Sequence, residues 1–376
     1  MHRKWSIWRA VVLMCVISTC AVFSPASEIG DALSEWKTDD MLPGLVSLVW
    51  DGSNLHADAL GYADLERRIP MRMDNLFWAA SNGKAIACAL VLTYVDEGLL
   101  GLDDPVEKFL PEWREIKVRG EVPRTKPTVR QLMGHMSGLR FFPGFPITRY
   151  PARLLAQKAV AEGLQSHPGE KYSYSNWGID CAVAICEVLG GEPWDVLVAR
   201  RVFAPLGMTG ATYFPGTNAQ YAVCYRLSDN DTPKPVVVDQ LAYPYDKPPV
   251  YAEAGGGLFC TAMDLMKFYR MVANRGVATD GKRFLSEKVM NEWYGHAGAT
   301  YTFGTTVNPE TGAIGHGGAY QTTAHANWKT GAVSVFFVQI NGGNRRSELR
   351  RKAWENAASN LLGEVRSVKV EGVRNR

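Results

Sequence analysis

The sequence predicts an α+β fold, an α/β/α sandwich in which helices flank an antiparallel sheet built from both ends of the chain. Three patterns support this prediction. Residues 44–62 contain two strand-like segments around the turn pair Asp51 and Gly52, which is typical of a β-hairpin. Residues 301–340 contain consecutive strand-like segments joined by short turns, which indicates an antiparallel meander. The middle, about residues 104–300, is rich in Pro, Gly and short helical patterns, which predicts a mostly helical insertion.

Helical periodicity predicts the other elements. A first helix is expected over residues 28–40, and a buried helix is expected to begin at Ser81, because apolar residues recur there every three or four positions. Further helices are expected at residues 175–189 and 262–274. The last predicted helix, residues 347–362, has an apolar side that consists of Leu349, Trp354, Ala358, Leu361 and Leu362.

The hairpin and the meander are expected to join into one sheet lobe, about residues 27–80 and 300–376. The remaining residues, about 81–299, are expected to form the helical lobe. Because clefts commonly form where two lobes meet, the active site is expected at the interface between them.

The first 26 residues have the composition of a secretory signal. A basic start is followed by an apolar run over residues 10–23 and by small residues that end at Ala26, where cleavage is expected. An uncleaved membrane anchor is the alternative, but the run is shorter than the roughly 20 apolar residues that span a bilayer. We therefore expect an exported protein, periplasmic or secreted, that meets the membrane only through this segment before cleavage.

Charge and cysteine content exclude other classes of protein. Cleavage would remove three basic residues and no acidic residue, which brings the 41 basic residues down to the number of acidic ones, 38. This balance gives no electrostatic reason to expect nucleic acid as a partner. Of seven cysteines five would remain, without a CxxC pair or the Cys/His spacing of a metal site, so neither a metal nor a cofactor is expected. A disulfide among the five stays open.

Ser81 and Lys84 form the first chemical cluster. Their spacing of three residues puts a hydroxyl and an amine on the same face of one helical turn. Serine needs a base to become a good nucleophile, and lysine accepts a proton only when burial or a nearby cation lowers its pKa. A serine at a helix N-terminus also directs its backbone N–H at a developing oxyanion. A capping serine followed by a surface lysine gives the same pattern, so the pair alone is a weak signal.

Two later clusters strengthen the first. Tyr174 and Asn176 lie in a loop just before a predicted helix, where a phenol can relay a proton and a carboxamide can bind a substrate. His316 is followed by Gly317 and Gly318 on a late strand, where the two glycines permit close approach of another chain or a substrate.

In this order the three clusters resemble the motifs of the serine β-lactamase and penicillin-binding protein superfamily. The branch they resemble holds class C β-lactamases, D-Ala-D-Ala carboxypeptidases and related esterases. Residues 128–139, 205–208 and 254–265 also resemble that branch, and the likeness extends over about residues 30–362. The resemblance implies hydrolysis in two covalent steps, acyl-enzyme formation and deacylation, with no metal.

The resemblance also implies roles for the first two clusters. Ser81 corresponds to the acylated nucleophile, and Lys84 corresponds to its proton-handling partner. Tyr174 corresponds to the tyrosine that acts as general base in acylation and that activates the deacylating water. Asn176 corresponds to the amide that holds Lys84 or the substrate.

The third cluster carries the departure that bears on specificity. His316, Gly317 and Gly318 correspond to a motif that is usually Lys-Thr-Gly in β-lactamases and often His-x-Gly in esterase-like members. The oxyanion hole would use the backbone N–H groups of Ser81 and Ala319. Because histidine is mostly neutral at pH 7, it suits the carboxylate of a β-lactam or of a D-Ala terminus less well than lysine does.

Four other candidates are predicted to be structural. Residues 329–331 spell Lys-Thr-Gly, but they occupy a turn between two strands, so His316 is preferred as the third motif. His135 and Ser137 invite a Ser/His interpretation, yet the stretch that holds them corresponds to a structural helix end beside the cleft. His325 is expected to be a satisfied partner inside the sheet.

The leading hypothesis is therefore an exported hydrolase that cleaves an ester or amide through an acyl-Ser81 intermediate. Its substrate would be a small ester, an amide or a D-amino-acid peptide, with esterase, D-amino-acid peptidase and β-lactamase activity considered in that order. The alternative is a penicillin-binding or peptidoglycan-sensing module that acylates with little turnover. A degenerate relative without catalysis is disfavoured, because the residues of the first two clusters are all present.

Overall fold

The computed structural model describes residues 25–37, 42–144, 150–216, 220–228, 232–236, 251–341 and 345–362. The predicted signal lies outside these residues, except for Pro25 and Ala26, which begin the first helix. None of the described helices is long and apolar enough to cross a membrane.

The strands and helices of the described residues follow in chain order. The strands are β1 (Leu45–Trp50), β2 (Leu55–Leu60), β3 (Tyr62–Asp64), β4 (Ile69–Pro70), β5 (Phe77–Ala80), β6 (Tyr225–Leu227), β7 (Pro233–Pro235), β8 (Leu258–Cys260), β9 (Tyr301–Thr302), β10 (Thr305–Asn308), β11 (Ala313–Gly318), β12 (Thr322–Asn327), β13 (Val333–Val338) and β14 (Ile340–Asn341). The helices are α1 (Pro25–Lys37), α2 (Gly83–Asp96), α3 (Val129–Met133), α4 (Ala152–Glu162), α5 (Asn176–Gly190), α6 (Trp194–Val198), α7 (Ala204–Leu206), α8 (Ala262–Ala273), α9 (Glu287–Tyr294) and α10 (Arg345–Leu362).

The largest sheet of the described residues joins both ends of the chain. Its seven strands run in the order β2-β1-β13-β12-β11-β10-β9, and every neighbouring pair is antiparallel. The hairpin of β1 and β2 meets the C-terminal meander where Leu45 pairs with Val338. The prediction of one antiparallel sheet from the two terminal segments is confirmed.

Helices cover both faces of this sheet, as an α/β/α sandwich requires. On one face α1 and α10 pack together, with Trp36 and Trp354 in one apolar cluster with Phe336 of β13. On the other face α8 packs against β12 and β13, and the neighbouring residues Val335 and Phe337 belong to the main core. This alternation along β13 follows from the two-residue period of a strand that is buried on both sides.

The apolar side predicted for the last helix is partly wrong. Trp354 and Ala358 are buried, but Leu349 is 55% exposed. The helix spans Arg345–Leu362, and its buried Trp354 is fixed by the indole N–H, which donates to the Ser47 hydroxyl at 2.8 Å. A tryptophan anchored in this way leaves Leu349 on the solvent side.

The middle of the chain is mostly helical in its described residues and supplies the core around the site. Gly83 to Tyr94 of α2 are buried without a break, and α2 packs against α5, which is almost as fully buried. Helices predicted at residues 175–189 and 262–274 are confirmed as α5 and α8. Short strands also occur there, and one of them, β8, pairs with β5 just before Ser81.

Candidate active site

Ser81 lies at a strained junction between β5 and α2. The pairing of β5 with β8 is irregular between Trp78 and Ala80, and Ala80 has a φ of 50°, in the left-handed region that disfavours residues with a side chain. The helix begins two residues after Ser81, at Gly83. Strain of this kind persists only where the surrounding structure enforces it, and here it presents the serine hydroxyl at the start of a buried helix.

Asn82 and Gly318 hold the third cluster against this junction. The buried Asn82 amide donates to the carbonyl oxygens of Ala79 and Thr322, each at 3.1 Å. A Cβ on Gly318 would lie 2.4 Å from the Ala79 oxygen and 2.3 Å from Thr322 Oγ1, so only glycine fits between them. The end of β11 therefore lies against the turn that carries the serine, as the predicted roles require.

Lys84 is fully buried and directly contacts the serine. Its Nζ atom lies 3.1 Å from Ser81 Oγ and donates to the Gly255 carbonyl oxygen at 2.6 Å. The same atom lies 4.6 Å from the centre of the Tyr174 ring. Burial lowers the pKa of Lys84 to about 7, and the nearby Glu253 carboxylate opposes that change. A substantial fraction of the amine is therefore neutral at pH 7 and able to accept a proton.

Tyr174 lies beside Ser81 and hydrogen-bonds His316. Burial raises the pKa of its phenol, a change that the nearby Ser81 hydroxyl opposes in part. The phenol therefore stays protonated at neutral pH. Its Oη atom lies 3.4 Å from Nε2 of His316.

His316 is neutral in a defined tautomer. Burial and the nearby Lys84 lower its pKa to about 3. Its Nδ1 atom lies 2.5 Å from the Gly317 carbonyl oxygen, which only accepts hydrogen bonds, so we assign the proton to Nδ1. Nε2 is then an acceptor, and the Tyr174 hydroxyl donates to it. The Tyr174 hydroxyl is thus held by His316 in the neighbourhood of Ser81.

Asn176 contacts a carboxyl group that the sequence interpretation missed. Its Nδ2 atom donates to Glu253 Oε1 at 2.5 Å, whereas the resemblance implied a contact with Lys84 or the substrate. Glu253 is fully buried two residues before Gly255, whose carbonyl binds Lys84, and burial raises the pKa of the Glu253 carboxyl.

Asp180 is a second buried carboxyl in the same region. It accepts hydrogen bonds from the Tyr251 hydroxyl at 2.8 Å and from the Ala254 backbone at 3.0 Å. Burial raises its pKa as well, and it also opposes the lowered pKa of Lys84. Its sequence signal was present, since Asp180 is the one charged residue in the otherwise apolar run of residues 177–186, one turn after Asn176.

Three other candidates from the sequence have the contacts that are expected of structural residues. Residues 329–331 form the turn between β12 and β13, at the opposite end of β12 from Thr322. His325 pairs with Gly315, and both burial and Arg351 of α10 lower its pKa, so it faces α10. Ser137 is buried and its Oγ accepts from the Leu139 backbone.

The glycines and alanine of the third cluster differ in exposure. Gly317 is exposed, and a Cβ there would meet no atom closer than 3.7 Å, so its backbone borders open space. Ala319 begins a short 3-10 turn, Ala319–Gln321, that directly follows β11. Gly318 packs on Ala79. Of the two predicted oxyanion donors, Ala319 therefore lies one residue after this contact along the chain, and Ser81 lies two residues after it.

Comparison with known proteins assigns the family. The sequence model of the beta-lactamase family matches residues 31–359 of this chain. The chain belongs to this family. The resemblance predicted from the three clusters is thus confirmed, and the family match covers nearly all of the described residues.

Curated relatives carry several kinds of name. An uncharacterized protein of Mycobacterium tuberculosis is 34% identical over 271 residues, which cover 65% of this chain and 66% of that protein. Penicillin-binding protein 4 of Amycolatopsis lactamdurans is 29% identical over 66% of this chain and 64% of its own length. Esterase EstB of Burkholderia gladioli is 28% identical over 62% of this chain and 67% of its own. The matches thus span about two thirds of these relatives.

The fold is shared with solved structures. EstCE1, described as a hydrolase with promiscuous acyltransferase activity, superposes with a TM-score of 0.73 at 20% identity and covers 88% of this chain and 98% of its own. At this identity the likeness concerns the fold alone. It confirms the α+β architecture.

Proposed function

We propose that this protein is an exported serine hydrolase that cleaves an ester or amide bond through an acyl-Ser81 intermediate. The observation that carries the proposal is the contact of Ser81 Oγ with the buried Lys84 amine at 3.1 Å, together with the lowered pKa of that amine. A nucleophile beside a base that is partly neutral at pH 7 is the arrangement that acyl transfer requires.

Acylation follows from the charge states of these groups. Ser81 Oγ attacks the carbonyl carbon and gives its proton to the neutral Lys84 amine. As the tetrahedral intermediate collapses, the neutral Tyr174 phenol donates its proton to the leaving oxygen or nitrogen, and Lys84 returns a proton to Tyr174. A water molecule then attacks the acyl carbon, its proton passes through the same groups, and Ser81 leaves as the free alcohol.

The pKa directions refine the roles that resemblance implied. A phenol whose pKa is raised is a poor resting base, whereas an amine whose pKa is lowered to about 7 is a good one. Lys84 is therefore proposed as the proton acceptor and Tyr174 as the relay. The backbone N–H groups of Ser81 and Ala319 are proposed to bind the oxyanion.

The proposed substrate is an uncharged ester rather than a carboxylate-bearing β-lactam. The buried third-motif histidine has a pKa of about 3 and brings no positive charge at neutral pH. Esterase EstB among the relatives supports the ester class. Export rests on the signal composition of residues 1–26 alone.

The hydrolysis of short-chain p-nitrophenyl esters tests this function. We expect turnover by the wild type and a loss of at least about 1,000-fold in kcat for Ser81→Ala, since removal of a nucleophile costs several orders of magnitude. Ser173→Ala is the matched control, because its hydroxyl donates to the Leu139 carbonyl at 3.4 Å and takes no part in the proposed relay. A loss of less than about tenfold in the kcat of Ser81→Ala would contradict the acyl-Ser81 mechanism.

A second candidate is a penicillin-binding module that acylates with little turnover. It is supported by penicillin-binding protein 4 among the relatives, which matches over 66% of this chain. Intact-protein mass spectrometry after incubation with benzylpenicillin separates the two candidates. A stable adduct on Ser81 without ester turnover favours the binding module, and rapid ester turnover without a lasting adduct favours the hydrolase.

A further inference from the structure

His135 packs against the Tyr174 ring and forms hydrogen bonds with the residues on both sides of this tyrosine. The residue follows α3, is fully buried, and has a φ of 59°, in the left-handed region. Its carbonyl oxygen accepts the backbone N–H of Ser173 at 2.8 Å. Its ring Nδ1 accepts the backbone N–H of Ser175 at 3.2 Å. The imidazole ring packs on the Tyr174 ring with centroids 4.5 Å apart.

These contacts determine the tautomer of His135. A backbone N–H only donates, so the Nδ1 atom that meets Ser175 carries no proton. The proton is on Nε2, which lies 2.9 Å from the Tyr301 hydroxyl oxygen and donates to it. Burial, together with the nearby Lys84 and His316, lowers the pKa of His135 well below its ordinary value, so the ring stays neutral. Both nitrogens are occupied, and neither is available to move a proton.

The segment that His135 holds is the one that aims the Tyr174 hydroxyl. Ser175 continues into α5, where its own Oγ accepts the Gly178 backbone N–H at 2.9 Å. Tyr174 must reach both Ser81 and His316, and its bond to His316 is already long at 3.4 Å. A small rotation of the backbone between Ser173 and Ser175 would break this relay. The strained backbone of His135 indicates that the contact is enforced by the fold.

We propose that His135 is a positioning residue for Tyr174: its neutral imidazole and its carbonyl oxygen clamp the backbone N–H groups of Ser175 and Ser173, the residues on either side of the tyrosine. This inference rests on the proposed function, in which Tyr174 relays the proton. His135 acts only through Tyr174 and touches neither the nucleophile nor the substrate. It revises the interpretation of this histidine as a purely structural helix end.

Three substitutions test the contacts of the two ring nitrogens separately. In His135→Asn the amide oxygen takes the place of Nδ1 and still accepts from Ser175. In His135→Gln the amide takes the place of Nε2 and reaches Tyr301 instead. His135→Ala loses both contacts. His325→Asn is the control, because His325 is a partly buried histidine that faces α10, on the opposite side of the sheet from His316.

The measurement is kcat per active site, with a p-nitrophenyl ester as substrate and a fluorophosphonate to count reactive Ser81. We expect kcat to fall about 100-fold in His135→Gln and His135→Ala, as misplacement by about 1 Å does, with KM changed less than about threefold. His135→Asn should stay within about tenfold of the wild type, and His325→Asn should match it. Because asparagine also tolerates the left-handed backbone at residue 135 better than glutamine or alanine does, recovery of kcat supports the clamp only together with slow exchange of the Ser175 amide.

Hydrogen exchange of the Ser175 amide gives a second readout that needs no activity. Exchange should accelerate at least about tenfold in His135→Gln and His135→Ala and remain slow in His135→Asn. If the wild type hydrolyses no ester, the proposed function fails while this exchange pattern still decides whether the clamp exists. The clamp is refuted if the three variants exchange alike, if asparagine and glutamine lose equal activity, or if all three fail to fold.

Discussion

Lys84 is the residue at which burial and charge compete most directly. Desolvation lowers its pKa, while two buried carboxyl groups, Glu253 and Asp180, raise it, and desolvation is the larger effect. Both carboxyl groups have raised pKa values for the same reason. Desolvation thus disfavours the charged form of all three buried groups, and for Lys84 it leaves part of the amine neutral at pH 7, the state that can accept a proton from Ser81.

The pH dependence of kcat/KM tests this balance. Because Lys84 accepts a proton only as the neutral amine, activity should rise with pH and reach half its plateau near pH 7. Glu253→Gln removes the negative charge that the ionised fraction of Glu253 places near Lys84, so the midpoint should move to lower pH. Rate measurements on an ester from pH 5 to pH 9 check both expectations. A midpoint that moves up in Glu253→Gln would contradict the role of Lys84 as the base.

For individual residues, the sequence predicted contacts between side chains that lie close together along the chain. Ser81 and Lys84 could be paired because three residues make one helical turn. Their buried partners could not be found in that way, since Asn176 and Glu253 are 77 positions apart and meet only after the middle of the chain folds. His135 was noticed but assigned no function, because its contacts to residues 173 and 175 leave no trace in spacing.

At the scale of elements, the loop between β9 and β10 fixes the start of α2. Gly304 has a φ of 76°, and a Cβ there would lie 2.6 Å from the carbonyl carbon and oxygen of Lys84. Its own N–H donates to the Met133 carbonyl at 3.2 Å. The first turn of the catalytic helix is thus packed directly against this glycine, and no larger residue fits without moving Lys84.

Gly304→Ala should therefore destabilise the protein and also lower its kcat. We expect a loss of about 2 kcal/mol or more in the free energy of unfolding beyond the loss in Gly331→Ala, since overpacking typically costs 1–3 kcal/mol. Gly331 has a nearly equal φ of 78° but no atom within 4 Å, so it carries the backbone strain without the clash. Urea unfolding and kcat of both variants provide the measurement. Equal losses in the two variants would show that the contact with Lys84 is unimportant.

Periodicity predicted long elements well and short ones poorly. The helices at residues 175–189 and 262–274 were found because buried apolar residues recur over several turns. The strands β3, β4, β6 and β7 were not predicted, because two or three residues are too few to show a periodic pattern. Leu349 was assigned to the wrong side of α10, since the pattern could not reveal that Trp354 sets the orientation of the helix.

At the scale of the whole molecule, the two ends of the chain complete each other. β1 pairs with β13, α1 packs on α10, and the indole of Trp354 donates to Ser47, 307 positions away. The sheet that holds His316 is thereby built from strands of both termini. The sequence predicted this closure because strand-like segments occur at the two ends and helical patterns lie between them.

Trp354→Ala tests how far stability depends on that closure. We expect a loss of about 3–5 kcal/mol in the free energy of unfolding, as large-to-small substitutions of buried aromatic residues give, with kcat of the folded protein nearly unchanged. Leu349→Ala, on the same helix but 55% exposed, should change stability by less than about 0.5 kcal/mol. Urea titrations followed by tryptophan fluorescence compare the two. Similar losses would contradict the orientation of α10.

The most direct test of acyl transfer to Ser81 is rapid-quench mass spectrometry of the protein during ester hydrolysis. The predicted result is a transient acyl adduct on the peptide that contains Ser81, formed at least as fast as turnover and absent in Ser81→Ala. Turnover that persists in Ser81→Ala, or an acyl group found on another residue, would contradict the mechanism.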